Sequence, residues 1–349
     1  MSSQKLAGMH PAWFAALMST AGTSLAFLLD PFPERDFDEV VGISLLAVAG
    51  LAALLLLTAF AFRLWRHADL VRTDLSHPVF GPLTSALPAG VMVLSVAVAQ
   101  SGVRGILDGV APLAAALLAL GLAGTLVLGF LIYLDVVNGA ESGAAAMTGT
   151  WFIPVVPLVL VPNALIRLVG LEFIGHSEGV ALLAVSIWGA GLFLFVVLAA
   201  AVGNRLLTLP PPPAAMAATW WIWLAPAGAG GLGALASADL LAGSELLETP
   251  AILWPIAMVL FGFGLWWLLF AGTLLWRQRA AMHFHLGTWG FGFPSAAFAA
   301  LVLALGGRLE IAGLQALGSA LVSLTLPLWL YLSWRTAQGI RSGKVFKRA

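Results

Sequence analysis

The 349-residue chain contains no cysteine, and only 9% of its residues are charged. The first absence excludes disulfides, thiolate metal sites and thiol nucleophiles. The second excludes an ordinary soluble domain, in which about a quarter of residues carry charge. A third absence is positional. No long apolar run contains Asp, Glu, Lys, Arg or His away from its ends. Proton relays, voltage sensors and carboxylate-bound cation sites need such groups at membrane depth, so a pump or a proton-coupled antiporter of the usual design is disfavoured. No serine follows a nucleophile-elbow pattern and no histidine lies within a run to act as its base, so nothing points to an enzyme. The alternating segments of a membrane β-barrel are missing as well.

What remains is 61% hydrophobic, with a mean hydropathy of +1.00. Apolar stretches of about twenty residues, the length that crosses a bilayer as a helix, recur throughout. Ten are separable: about 11–29, 39–62, 84–103, 109–134, 148–166, 179–203, 214–238, 250–276, 286–307 and 311–334. Connections are short, so residues 1–349 read as one all-α integral membrane domain. The first run ends at Leu29-Asp30 without a small-x-small cleavage site and reads as a retained span. The prolines at Pro210–Pro213 read as a stiff lead-in to the seventh run.

Lysine and arginine set the orientation. With the N-terminus in the cytoplasm, twelve basic residues fall inside and four (Arg35, Arg104, Arg167 and Arg308) outside. Of the acids, only Asp69, Asp74, Asp135 and Glu141 fall inside. Both termini are therefore expected in the cytoplasm. The basic inner mouth would concentrate anions there, and an interior-negative voltage favours their exit by roughly 2.3 kcal/mol per 100 mV. The competing reading is that this bias reports topology alone.

Helix breakers alternate. The odd runs carry Pro88, the group Pro154, Pro157 and Pro162, then Pro226, then Pro294; the first has the small polar stretch "STAGTS". The even runs are dominated by Leu, Val, Ala and Phe, with interruptions at Pro255 and Pro327. Glycine and proline are common in any membrane helix, which explains one span but not the alternation. Broken backbone at membrane depth must be buried in protein or line a cavity. The odd spans are therefore expected in the centre and the even ones against lipid, as five hairpins. Half-helix N-termini in such spans present N–H groups suited to anions.

In "GTWGFGFPS" an aromatic projects at a proline-broken turn. Phe293 could close a hydrophobic constriction, with Phe291 as the alternative if the register shifts. A ring filling a helix–helix gap is the structural reading of the same pattern. His283 and His285 read as a solvated loop pair rather than metal ligands, and His77-Pro78 as a loop-ordering element. No metal, cofactor or nucleic acid is implied.

Five motifs carry a resemblance: "PAWFAALMS", "HPVFGPLTSALPAGVM", "TWFIPVVPLVLVPNAL", "WIWLAPAGAGGLGAL" and "GTWGFGFPSAAFA". They stand in order on the odd spans. The chain resembles the tellurite-resistance and C4-dicarboxylate transporter family, which includes TehA-like proteins and the plant guard-cell slow anion channels. The resemblance implies ten helices in five hairpins around a quasi-fivefold central pore, a homotrimer in the bacterial inner (plasma) membrane, and small anions as substrates. It matches Phe293 to a phenylalanine plug, and Pro88, Pro154 and Pro226 to kinks; Pro294 follows the plug as in the plant channels. Ala15 and Leu17 stand where bacterial relatives place glycine and proline, and are expected to narrow the route or alter how Phe293 seats. The function expected is an anion channel or transporter. The alternative is a secondary carrier or exporter of C4-dicarboxylates, sulfite or tellurite.

Overall fold

The structure is a computed structural model describing residues 6–30, 35–137, 147–210, 212–244, 246 and 250–346. Lys5, Glu34, Glu141, Glu245, Glu248, Lys347 and Arg348 of the charge count, and Pro211, lie outside the described residues. The described residues contain no strand. We label the principal helices α1 (Trp13–Leu29), α2 (Arg35–Arg66), α3 (Ala86–Val103), α4 (Ala111–Val137), α5 (Val156–Gly170), α6 (Glu178–Thr208), α7 (Leu224–Ala242), α8 (Trp254–Gln278), α9 (Gly292–Arg308) and α10 (Ala312–Arg341). With their lead-in turns, nine helical stretches among the described residues are long and apolar enough to cross a membrane. The exception, α1, is apolar but has 17 residues, or roughly 25 Å at 1.5 Å per residue.

Burial follows the alternation of the sequence. In the most apolar 18-residue stretch of each candidate span, 72–100% is buried for those ending in α3, α5, α7 and α9, but only 22–28% for those containing α2, α4, α6, α8 and α10. α1 belongs with the first group: Leu17 through Leu28 are all buried. The packing is cyclic. α1 packs on α3, α3 on α5, α5 on α7, α7 on α9, and α9 back on α1. Each even helix packs on the odd helix before it and also on the next odd helix around, α10 returning to α1.

Small residues permit this closeness. A Cβ on Gly228 of α7 would stand 2.5 Å from the backbone of Ala297 and Phe298 in α9. One on Gly90 of α3 would stand 2.8 Å from Leu17 of α1. A Cβ on Gly233 of α7 would collide with the Val159 carbonyl of α5.

Three of the four breaks share one register. Ser85 interrupts the helix and α3 resumes at Ala86, two residues before Pro88. α7 resumes at Leu224 after a short helix, Ala218–Trp221, two residues before Pro226. α9 starts at Gly292 after a 3-10 turn, Leu286–Phe291, two residues before Pro294. α5 follows a 3-10 turn, Gly149–Phe152, with Pro154 in the gap. A proline lacks the N–H that a helix interior requires, but first-turn N–H groups have no intrahelical acceptor anyway. In α3, α7 and α9 the helix therefore restarts just before the proline, placing it in a first turn; in α5 that place is taken by Pro157. In the α9 stretch the restart comes after six of 23 residues, so the break lies nearer one end than mid-depth.

The helices run a few residues past the apolar runs. This brings Arg63, Arg167, Arg205 and Asp239 within α2, α5, α6 and α7. Arg63 is closed over: its guanidinium meets Asp74 of the short helix Ala68–Ser76 at 2.6 Å, with both side chains almost fully buried.

Candidate anion pathway

Phe293 is the second residue of α9 and is 4% exposed, inside the protein core rather than facing outward. Its ring lies on α1 at Gly22, where a Cβ would stand 2.8 Å from Cδ2. One hydroxyl holds the turn. Ser19 Oγ donates to the Trp289 carbonyl at 2.8 Å and accepts the Phe293 backbone N–H at 3.1 Å. Gly292 makes that approach possible, since a Cβ there would lie 2.5 Å from Ser19 Cβ. The indole N–H of Trp289 donates to Thr336 Oγ1 of α10 at 2.9 Å.

Phe291 has a different setting. It is half-buried, edge-on to Trp221 at a centroid distance of 5.9 Å. The Trp221 indole donates to Ser295 Oγ, whose hydroxyl donates to the Phe291 carbonyl. Phe291 thus fills the gap between the lead-ins of α7 and α9, whereas Phe293 points to α1. Leu17 approaches Gly90 of α3, while Gly22 is the α1 position that faces the Phe293 ring.

Open space lies at both ends. At the end where the odd helices finish, a cavity of about 410 Å³ is walled by all five of them: Leu29, Gln100, Asn163, Leu232 and Ala300 are among its lining. At the other end a crevice of about 620 Å³ meets the lead-ins of four odd helices through His10, Phe80, Ala215 and Leu286. Along the ninth span, crevice contacts end at Gly287 and cavity contacts begin at Ala300. Phe293 falls between them.

The crevice holds His283, His285, Arg335 and Lys344. His283 Nδ1 lies 3.0 Å from the Ala281 carbonyl. His285 caps the 3-10 turn. Its Nδ1 accepts the Gly287 N–H at 3.1 Å, while Thr288 Oγ1 accepts the His285 N–H at 3.2 Å. The ring keeps solvent contact, yet the surrounding crevice disfavours its charged form and lowers its pKa, partly offset by a hydrogen bond to the Ala215 backbone. Among the described residues no three His, Asp or Glu side chains converge as a metal site.

The cavity holds Asn163 and Gln100, the strongest polar groups near the spans in the sequence, together with charged residues that sequence reasoning did not place at a site. Arg167 projects from the last turn of α5 and lines it with Asn163, Gln100, Asp239 and Arg308. The apolar run stops at residue 166, which hid the fact that α5 continues and turns Arg167 toward the bundle interior.

An all-helical bundle with broken, buried odd helices and a vestibule at each end has the build of a membrane channel or carrier. The chain belongs to the SLAC1 family, described as voltage-dependent anion channels, whose match spans residues 8–337. It is 26% identical to an uncharacterized transporter of Methanocaldococcus jannaschii over 345 residues, 97% of this chain and 95% of that one. A second transporter from the same organism is 30% identical over 207 residues, 56% of this chain and 57% of that one. The sulfite efflux pump of Arthroderma otae is 23% identical over 357 residues, 98% and 93% of the two chains.

Proposed function

We propose that this protein passes small anions through a central route closed by Phe293. The route runs between ten membrane-spanning helices, arranged as five hairpins in a quasi-fivefold ring, with both termini in the cytoplasm and three copies in the assembly. Cyclic packing of the odd helices supports the ring, and the twelve-to-four bias of basic residues supports the orientation. Pro88, Pro154, Pro226 and Pro294 set where the inner helices restart and so where the aromatic projects. The observation that carries the reading is the position of Phe293, buried on Gly22 between the two open ends. No catalytic role is assigned to any residue.

Clearing the route requires the ring to leave its site, and exposing a buried Phe side chain costs about 1.5–3 kcal/mol. At 1.4 kcal/mol per factor of ten, the closed form is favoured about 10- to 100-fold. Phe293→Ala should therefore raise anion conductance by about that factor in a planar bilayer, at equal protein content. Unchanged current in a well-folded variant removes Phe293 from the gate. The name carried by the Arthroderma relative supports a second reading, an exporter of sulfite. Ion-substitution recordings separate the two. A channel gives currents reversing at the anion's equilibrium potential; a carrier gives saturating, coupled flux.

A further inference from the structure

The cavity at the finishing ends of the odd helices has an electrostatic peculiarity. Its charged lining consists of Arg167, Arg308 and Asp239, two positive groups against one negative. Asp239 is in direct contact with Arg308. Asp239 acts on Arg167 electrostatically, but the hydrogen bonds of Arg167 go to neutral acceptors. Its Nε donates to Gln100 Oε1 at 2.7 Å, and NH1 donates to the Asn163 main-chain carbonyl at 2.7 Å. Gln100 is itself oriented, its amide N–H reaching the Leu28 carbonyl at 3.4 Å. Two of the five guanidinium N–H groups are thus used to aim the side chain, and no carboxylate touches it among the described residues.

A second, independent observation lies one helical turn away. Asn163 is 5% exposed and lines the same cavity. Its side-chain NH2 has no hydrogen-bond partner among the described residues. Buried donors in native proteins are nearly always satisfied, and a charge in a cavity walled by low-dielectric protein demands a counter-charge. Residues 163 and 167 share a face of α5 by their four-residue spacing. The two unmet demands therefore adjoin one space and have one sign.

We propose that Arg167 and Asn163 form a binding site for one small oxyanion at this mouth, with Gln100 as the residue that positions Arg167. The inference rests on the pore reading above for its role in transport, but not for the binding itself. An anion with two or more oxygens can accept from the guanidinium and the carboxamide at once; a halide offers one point to both. The site should therefore prefer sulfite and nitrate to chloride. It would hold the anion beyond the Phe293 closure, at the mouth that the proposed orientation places outside, and make flux saturable from that side.

The test uses the purified full-length protein and sodium sulfite, nitrate and chloride at constant ionic strength. Wild type should gain thermal stability with sulfite and nitrate at lower concentrations than with chloride. Arg167→Gln should weaken oxyanion binding by about 10- to 100-fold, the range for losing a hydrogen bond to a charged group. Asn163→Ala should weaken it by about tenfold. Arg167→Lys keeps the charge without the planar fork, so it should keep anion binding but lose the oxyanion preference. Binding curves unchanged in Asn163→Ala or Arg167→Lys overturn the site even if Arg167→Gln fails to fold. A second arm compares Phe293→Ala with Phe293→Ala/Arg167→Gln in bilayers. Equal half-saturation from the cavity side overturns the site while leaving the pore intact. Absence of any anion current in Phe293→Ala overturns the pore reading, and the binding curves then judge the site alone.

Discussion

The contact between Gly22 and Phe293 can be turned into a quantitative test of the gate. A Cβ at position 22 would lie 2.8 Å from Phe293 Cδ2, where ordinary contact begins at 3.4 Å. The deficit is 3.4 − 2.8 = 0.6 Å, too large for a close-packed interior to absorb without moving something. The backbone of Phe293 is pinned by Ser19, so the ring is what yields. Overpacking of this kind costs about 1–3 kcal/mol, and here it falls on the closed arrangement. Gly22→Ala should lower the melting temperature and raise anion current in the wild-type background. In the Phe293→Ala background the colliding atom is gone, so Gly22→Ala should change neither by much. The double-mutant cycle over thermal unfolding and bilayer conductance should show a coupling of about 1–3 kcal/mol. Effects that add to within about 0.5 kcal/mol would show that the two residues do not meet in the closed protein.

Three further perturbations address the scaffold. Asp74→Ala leaves the Arg63 guanidinium buried without its carboxylate, and should cost about 3–5 kcal/mol in thermal or denaturant unfolding, with transport per folded molecule preserved. Gly228→Val drives a side chain into the α9 backbone, which cannot swing aside as a side chain can; the monodisperse fraction in size-exclusion chromatography should fall sharply, while Gly50→Val, with open space around it, should be neutral. His285 gives a pH dependence. Its folded pKa is lowered below the ordinary value of 6.5, so its contribution is present above about pH 6.5 and is lost as pH falls through the folded value. Acidification over that window should loosen the turn before α9, read as a lower protection factor at the Gly287 amide after correction for the intrinsic pH dependence of exchange. His285→Asn, whose carbonyl oxygen can cap without titrating, should remove the effect.

The architecture was largely legible because its signals are local. Pro88, Pro226 and Pro294 fall where inner helices restart and so announced them directly. By contrast, Pro162 and Pro327, also read as breakers, lie inside the continuous helices α5 and α10, and Pro255 falls in the first turn of α8. Phe293 was separable from Phe291 only through resemblance, because both are aromatic residues in one glycine-rich turn; what distinguishes them is that one meets Gly22 and the other Trp221, partners more than 65 residues away in sequence. Leu17 stands against Gly90 of α3, a neighbour that no pattern within α1 could name. Arg167 was counted as a loop charge because hydropathy ends at residue 166. Its orientation depends on Gln100, 67 positions earlier, and no pattern within α5 could disclose it.

The Ser19 bridge joins segments 270 residues apart in the chain. Two other links cross the same seam, from Trp329 to Thr20 and from Ser319 to Asp30. During synthesis the first hairpin must wait in the bilayer, one flank bare, until the final hairpin emerges. Loop closure over so long a separation is slow, so the Phe293 ring is seated at the last step of assembly. A ribosome stalled before the final hairpin would leave the barrel of helices with an unzipped side, and a leak through it would be prevented only by lipid or by a chaperone holding the gap.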